Sequence, residues 1–150
     1  MSNDFPTYNE VVAKALPEHT RRSPFAALLG IEIAEVRPGA IRCRLPLDPK
    51  HQSGVGAVHG GAIISLIDHA LSLAVYPLVE IGKWVATLEF KVNYLAPVFA
   101  EKAGGYIEAE AVVLSLKKRV ATVRIDVRTA SGELVASAQG TDYIREQPGA

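Results

Sequence analysis

The chain has 150 residues, of which 49% are apolar and 21% charged, and this size and composition are typical of one soluble globular domain. Its 16 basic and 16 acidic residues give a formal net charge of +0, so no electrostatic attraction to nucleic acid or to a membrane surface is expected. Because Cys43 is the single cysteine, no internal disulfide can form, which excludes a disulfide-stabilised secreted scaffold. The N-terminus lacks the pattern of a secretion signal, and we expect a cytoplasmic protein.

Two short helices are predicted before the first strand. Residues 7–16 have the apolar spacing of an amphipathic helix, and Pro17 is predicted to end it. Ser23 and Pro24 then begin a second helix that Gly30 closes. These helices form an N-terminal extension at about residues 7–29.

Two strands are predicted over residues 31–36 and 40–47, with a turn at Pro38-Gly39 between them. In the second strand, apolar residues alternate with arginine and proline, which predicts one buried face. The apolar positions are Ile41, Cys43, Leu45 and Leu47.

Residues 59–77, HGGAIISLIDHALSLAVYP, predict a long helix that is apolar on nearly all sides and therefore buried. The stretch is long enough to be tested as a membrane span, but Asp68 and His69 at its centre argue against one. Burial of Asp68 is costly because a carboxylate loses its hydration, so this residue needs either a function or a partner.

The helical period places Ser65, Asp68 and Ser72 in one polar stripe. Two interpretations stay open: an active-site carboxylate, or a structural aspartate that is hydrogen-bonded to those serines or to a neighbouring subunit. His69 points about 100° away and is interpreted as a hydrogen-bonded interface histidine. His19 and His51 are expected at the surface or in loops.

The helix begins at Gly60 and Gly61, and its free N–H groups and dipole could stabilise a developing oxyanion. The glycines would let such a group approach closely. The alternative is that they only let the helix pack tightly against a sheet.

The second half of the chain predicts four long strands with short turns between three of them, and therefore an antiparallel meander. The strands are residues 84–95, 106–116, 120–129 and 134–145. In the first of these, the even-numbered apolar residues from Trp84 to Tyr94 are expected to cover the helix. The fold class is α+β: a sheet of five to six antiparallel strands wrapped around a long central helix, in a single domain over 1–150.

This layout, together with His59-Gly60-Gly61 and Asp68 later in the same helix, resembles the hotdog-fold acyl-CoA thioesterases of the phenylacetate-degradation (PaaI-like) type. Gly56 and the strand end at residues 93–97 support the resemblance, which covers roughly residues 25–145. It implies a hotdog fold, hydrolysis of an acyl-CoA thioester, and sites formed between subunits of a homo-oligomer, either a dimer or a dimer of dimers. Coenzyme A enters as part of the substrate, and no metal or other cofactor is implied.

The resemblance also implies roles for individual residues. Asp68 matches the catalytic carboxylate, His59 and Gly61 match the positions that hold the thioester carbonyl, and Thr87 falls where a hydroxyl orients the attacking water. Ser53 stands where the family often has asparagine, so its hydroxyl or the neighbouring Gln52 amide is expected to substitute. The expected substrate-binding set is Gln52, Ser53, Gly60, Ser65 and Ser72.

The sequence therefore predicts a thioesterase acting on a small aryl- or medium-chain acyl-CoA, with Asp68 either as nucleophile or as the base that activates water. Two alternatives remain: a module that binds acyl-CoA without hydrolysing it, and a dehydratase with His59 as its base. Lys117, Lys118 and Arg119 share one turn, which either contacts the coenzyme A phosphates or is a solvated hairpin tip.

Overall fold

The computed structural model describes residues 5–147, which form a six-stranded antiparallel sheet curled around one long helix. The strand order is β1-β2-β4-β5-β6-β3. The helices are α1 (Glu10–Arg22), α2 (Pro24–Leu29), α3 (Gly60–Val75) and α4 (Ala100–Ala103). The strands are β1 (Glu32–Arg37), β2 (Ala40–Pro46), β3 (Lys83–Tyr94), β4 (Tyr106–Leu116), β5 (Val120–Thr129) and β6 (Leu134–Glu146). The predicted α+β hotdog arrangement is confirmed, and the two ends of the predicted domain lie outside the described residues.

The core lies between α3 and the concave face of the sheet. Leu66, Ile67 and Leu71 of α3 are fully buried, and alternate residues of β4 and β5 meet them from the sheet. The window Gly60–Leu78 is long and apolar enough to cross a membrane by length and composition, but 61% of it is buried inside the fold. This burial is typical of a core helix.

One face of α3 is open in the single chain, contrary to the prediction of a helix buried on all sides. Asp68 is exposed, and Ile64, Ser65 and His69 beside it are half-buried. The sheet curls around only part of the cylinder, because a six-stranded sheet cannot close around a helix that it also packs against. The predicted desolvation of Asp68 is therefore absent in one chain.

Helix α1 is longer than the prediction for residues 7–16. It begins after Asn9, whose side chain accepts hydrogen bonds from the N–H groups of Val11 and Val12, and it continues through Pro17 to Arg22. Proline removes one hydrogen bond from a helix interior. Here Leu16 and Thr20 are buried on either side of it, and this packing keeps the helix intact.

A bulge divides β3 into two parts: the prediction that its even-numbered residues cover α3 is wrong before the bulge and right after it. The pairing with β6 jumps between Thr87 and Glu89, so Leu88 is an extra residue and is 61% exposed. Before the bulge Val85 is buried, and after it Phe90 and Val92 are half-buried. Bulges re-aim side chains, and this one turns Thr87 towards the helix although its sequence parity predicts the outer face.

Candidate active site

The N-terminus of α3 is capped by the side chain of His59. Its Nδ1 accepts a hydrogen bond of 2.8 Å from the Gly61 N–H, so the proton of the neutral ring is on Nε2. His59 and Gly61, the two residues predicted to hold the thioester carbonyl, are thus hydrogen-bonded to each other. The Gly61 N–H is used in this bond, and the exposed Nε2–H of His59 is the donor of this pair that could still bind a carbonyl oxygen.

Both glycines at the helix start lie close to neighbouring side chains. A Cβ at Gly60 would lie 3.0 Å from Tyr94 Oη, which donates to the Gly60 carbonyl at the same distance, and a Cβ at Gly61 would lie 2.9 Å from His59 Nδ1. The interpretation of tight packing against the sheet therefore fits Gly60, which contacts Tyr94 of β3, whereas the neighbour of Gly61 is the cap of its own helix. It is compatible with an oxyanion role, because the Gly60 N–H is at the first helical position and has no acceptor within the helix.

Ser53 and Gln52 lie in the loop before α3 and do not contact Asp68 in the same chain. The Ser53 hydroxyl and N–H both donate to the Ala57 carbonyl, at 3.0 and 2.7 Å, across a turn that has Gly56 at φ +83°. Ser53 therefore closes the loop, and the exposed Gln52 carries the side-chain amide available there.

His51 lies in the loop between β2 and α3, as one of its two expected placements had it, but it is buried and not at the surface. Its Nδ1 accepts from the Asp48 N–H at 3.1 Å, and its Nε2 lies 2.7 Å from the Leu29 carbonyl. Both ring nitrogens are thus used to hold the loop against α2.

Asp68 is bound by Thr87 and not by the serines of its own helix. Thr87 Oγ1 donates to Asp68 Oδ1 at 2.7 Å. Ser65 Oγ instead donates to the Gly61 carbonyl at 2.7 Å, one helical turn earlier. The structure brings Asp68 and Thr87 into direct contact, whereas the role of Thr87 in orienting water stays a prediction. It also removes Ser65 from the predicted stripe.

Ser72, the other member of that stripe, points to a carboxylate that the sequence analysis missed. Its Oγ donates to Asp142 Oδ1 at 3.0 Å and lies 3.1 Å from Thr87 Oγ1. Asp142 is 0% exposed, and burial together with the negative charge of Asp68 raises its pKa to about 6, although the hydrogen bond with Ser72 and the nearby Thr87 hydroxyl act to lower it.

The alternation of apolar and polar residues along β6 could have indicated that Asp142 is buried. This aspartate shares its parity with residues that face the core, namely Ala136, Ala138, Gly140 and Ile144. A carboxylate in such a series is expected to be buried.

A small cavity of about 220 Å³ opens beside Asp68. His69 lies at its edge with Nε2 3.1 Å from Thr20 Oγ1; burial lowers the His69 pKa and His19 lowers it further, while Asp68 raises it. Because the His69 ring is bonded to Thr20, it is a hydrogen-bonded structural residue within the chain. The walls are otherwise mainly apolar, and the lining is Phe25, Ile31, Ile64, Ser65, Asp68, His69 and Phe90.

Lys117, Lys118 and Arg119 are exposed at the tip of the β4–β5 hairpin. They line a separate cleft of about 690 Å³, together with the ends of β3 and β6. The cavity beside Asp68 shares no lining residue with this cleft. Contact with coenzyme A phosphates stays a prediction.

Known proteins combine the same fold with thioester chemistry. A family model of the thioesterase superfamily matches residues 55–136, which include the start of α3, Asp68 and Thr87. This chain belongs to the thioesterase superfamily. It is a thioester hydrolase, and the resemblance to PaaI-like hotdog thioesterases is confirmed.

Three relatives of this thioesterase illustrate the match. The crystal structure of a thioesterase from Haemophilus influenzae has a TM-score of 0.82 and 26% identity, covering 92% of this chain and 94% of that one. A mutant of the phenylacetic acid degradation protein PaaI from Thermus thermophilus has a TM-score of 0.71 and 30% identity, covering 81% and 98%. Acyl-coenzyme A thioesterase 13 of Homo sapiens is 27% identical over 127 residues, 83% of this chain and 88% of its own length.

Within one chain of this thioesterase, the N–H donors at the start of α3 and the carboxylate of Asp68 lie apart. Gly61 and Asp68 are seven residues apart on one helix, which is about 10 Å along the axis at a rise of 1.5 Å per residue. A carbonyl held at the helix start must be about 3 Å from its donors and close to the carboxylate at the same time. If Asp68 is the carboxylate that acts on the thioester, the donors for the thioester carbonyl must therefore come from somewhere other than the helix start of the same chain.

Proposed function

We propose that this thioesterase hydrolyses acyl-CoA thioesters to the free acid and coenzyme A, with Asp68 as its catalytic carboxylate. The observation that carries the proposal is the hydrogen bond from Thr87 to Asp68 at the edge of a mainly apolar cavity. The hydroxyl fixes one carboxylate oxygen, and Oδ2 is left to face a water molecule or the thioester carbon.

Two reaction sequences use this geometry. As a base, Asp68 takes a proton from water while the water oxygen attacks the carbonyl carbon; the C–S bond then breaks and the thiolate of coenzyme A leaves with that proton. As a nucleophile, Asp68 attacks the carbon itself, the C–S bond breaks, and the thiolate of coenzyme A leaves and takes a proton from solvent. Water then hydrolyses the resulting anhydride, which releases the free acid and restores the Asp68 carboxylate. Both need a donor for the carbonyl oxygen and neither needs a metal ion.

A second copy of the chain is the proposed source of that donor. The exposed face of α3 around Asp68 is where the partner would dock, with residues 52–61 of one copy placed near Asp68 of the other. Gln52, the Gly60 N–H and the Nε2–H of His59 would then hold the carbonyl. This arrangement explains why a catalytic carboxylate is exposed in the single chain, and it makes the protein a homo-oligomer. We propose a cytoplasmic location on the composition alone.

The cavity supports a small aryl or medium-chain acyl group. Its walls include the rings of Phe25 and Phe90, and its volume of about 220 Å³ is below the usual range for drug-sized ligands. Phe25 is 60% exposed in one chain and is thus available to cover an acyl group.

The test is a screen of aryl and straight-chain acyl-CoA substrates with a thiol-detecting dye, on the natural protein and on Asp68→Asn. The amide keeps the shape of the carboxylate but can neither take the proton nor attack, so kcat should fall at least about a hundredfold while acyl-CoA still binds. Asp126→Asn is the matched control, since Asp126 also accepts from a hydroxyl, that of Ser137 at 2.6 Å, but on another part of the sheet.

Retention of more than about a tenth of the natural kcat by a folded Asp68→Asn protein would remove Asp68 from the chemistry. Binding of acyl-CoA without any release of thiol from the natural protein would favour a module that only binds acyl-CoA.

A further inference from the structure

A continuous line of side chains joins the exposed Asp68 to the buried Asp142. Thr87 and Asp142 are directly opposite each other in the β3–β6 pairing, and Ser72 of α3 lies across from both. The contacts are 2.7 Å from Thr87 to Asp68, 3.1 Å between Ser72 and Thr87, and 3.0 Å from Ser72 to Asp142. These three contacts contain two hydroxyl groups and two carboxyl groups.

Counting hydrogens distinguishes the two charge states of Asp142. Each hydroxyl has one proton to donate. If both carboxyl groups are ionised, Thr87 donates to Asp68 and Ser72 donates to Asp142, so the contact between the two hydroxyl oxygens has no proton. If Asp142 is neutral, it donates to Ser72, Ser72 donates to Thr87, and Thr87 donates to Asp68. All three contacts are then hydrogen bonds that run in one direction.

We infer that Asp142 is a positioning residue that acts in its neutral form, donating through Ser72 and Thr87 to the carboxylate of Asp68. The two carboxyl groups then carry one proton between them, held at Asp142, and Asp68 is the ionised member. The inference rests on the proposed role of Asp68, which it extends to a residue that touches neither substrate nor water.

The surroundings of Asp142 favour the neutral form. It is 0% exposed, and its Oδ2 has no hydrogen-bond partner among residues 5–147. An unpaired oxygen in a buried carboxylate costs more than one in a neutral acid. Its strand neighbours are Thr87 on β3 and the apolar Ala121 on β5, and α3 presents Ser72 and the charged Asp68. The charge of Asp68 and burial both raise the Asp142 pKa, to about 6.

A direct titration tests the coupling without any substrate. The carboxyl carbons of aspartate are labelled with ¹³C and followed by NMR in the natural oligomer and in Asp68→Asn, with Asp142→Asn used to assign the signal. We expect the midpoint of Asp142 to lie well above that of an ordinary aspartate and to fall in Asp68→Asn, because the nearby negative charge is removed. An ordinary midpoint, or one that does not move, overturns the inference.

Kinetics separate positioning from a merely structural role. The kcat/KM of the natural enzyme should decrease as pH rises through the Asp142 midpoint, because kcat/KM reports groups of the free enzyme. Asp142→Asn supplies a permanent N–H donor to Ser72, so it should keep kcat within about fivefold and lose this decrease. Asp142→Leu removes the donor and should lower kcat about tenfold or more.

An equal loss of kcat in Asp142→Asn and Asp142→Leu contradicts the positioning role. A pH profile of kcat/KM that is unchanged in Asp142→Asn contradicts it as well. Asp126→Asn serves again as the control and should retain the natural profile. The two proposals fail separately. Absence of thioester hydrolysis by the natural protein removes the proposed function, whereas the titration still decides whether Asp68 and Asp142 are coupled.

Discussion

At the scale of single residues, the candidate site has few hydroxyl protons for the oxygen atoms of its two carboxyl groups. Thr87 has one hydroxyl proton and donates it to Asp68 at 2.7 Å. A hydrogen bond to a charged group is stronger than one between neutral groups and also fixes its direction. In the proposed mechanism, Thr87 thus determines which oxygen of Asp68 is free to react.

Thr87→Val tests this role, because valine has nearly the same shape and lacks the hydroxyl. We expect kcat to fall about 10- to 100-fold, which corresponds to the loss of one hydrogen bond to a charged group. Thr87→Ser keeps the hydroxyl and should retain most of the activity in the same acyl-CoA assay. An equal loss in both variants would instead indicate that the methyl group, and not the hydroxyl, is needed.

The pH dependence of stability should reveal the buried carboxyl of Asp142. Its pKa is raised from 3.8 to about 6 on folding, so the stability it contributes is present below pH 3.8 and lost as pH rises through about 6. The amide side chain in Asp142→Asn does not titrate, so its contribution to stability does not change with pH. The gain in stability of the variant over the natural protein should therefore be larger at about pH 7.5 than at about pH 4, by up to about 3 kcal/mol.

Chemical denaturation of both proteins at the two pH values measures this difference. A stability difference that is independent of pH would show that Asp142 ionises with the same ease in the folded and unfolded chains.

At the scale of elements, the contact between α3 and the sheet leaves no space at Gly140. A Cβ there would lie 2.5 Å from Leu71 Cδ1, 2.6 Å from Phe90 Cβ and 2.8 Å from the Glu89 carbonyl. These atoms belong to the central helix and to β3 just after the bulge. The close approach therefore holds the bulge that turns Thr87 towards Asp68.

Gly140→Ala should destabilise the protein by about 1–3 kcal/mol, the usual cost of overpacking a core. It should also lower kcat, because the segment after the bulge must shift to admit the methyl group. Gly54→Ala is the control for stability alone, since a Cβ at Gly54 has nothing within 4 Å in the chain. A midpoint of thermal unfolding that is the same for both variants would show that the helix and sheet have space to separate.

At the scale of the whole molecule, the open face of α3 and the exposed apolar residues of β3 require an explanation. Leu88 is 61% exposed and Tyr94 is 50% exposed, and Asp68 faces solvent near them. Exposed apolar surface beside a functional group is typical of an interface. In a closed assembly with two-fold symmetry, each copy would place the start of its α3 beside Asp68 of the other copy.

We therefore expect a dimer or larger assembly by light scattering at micromolar concentrations. Leu88→Lys should weaken the assembly and lower activity in parallel, because the proposed site is divided between copies. A monodisperse species of 16.1 kDa with full activity would contradict the divided site.

Local patterns in the sequence determined most of the fold. The limits of β4 and β5 were predicted to the residue, and those of β2 and β6 to within one residue, because alternating burial and short turns are properties of adjacent residues. The length of α1 was not predicted, since its continuation through Pro17 depends on what Leu16 and Thr20 pack against. Asp68 was identified from its neighbours, and Thr87 through the family resemblance.

Only the tertiary structure decided which polar groups meet. The bulge at Leu88 changes which side chains of β3 point towards α3. It depends on how β3, β6 and α3 pack together rather than on the sequence of β3. The same fit places Asp142 opposite Thr87, although 55 residues separate them in sequence. A buried carboxyl and its hydroxyl partners are contributed by three separate elements, so their hydrogen bonds form only when the helix and the two strands have packed together.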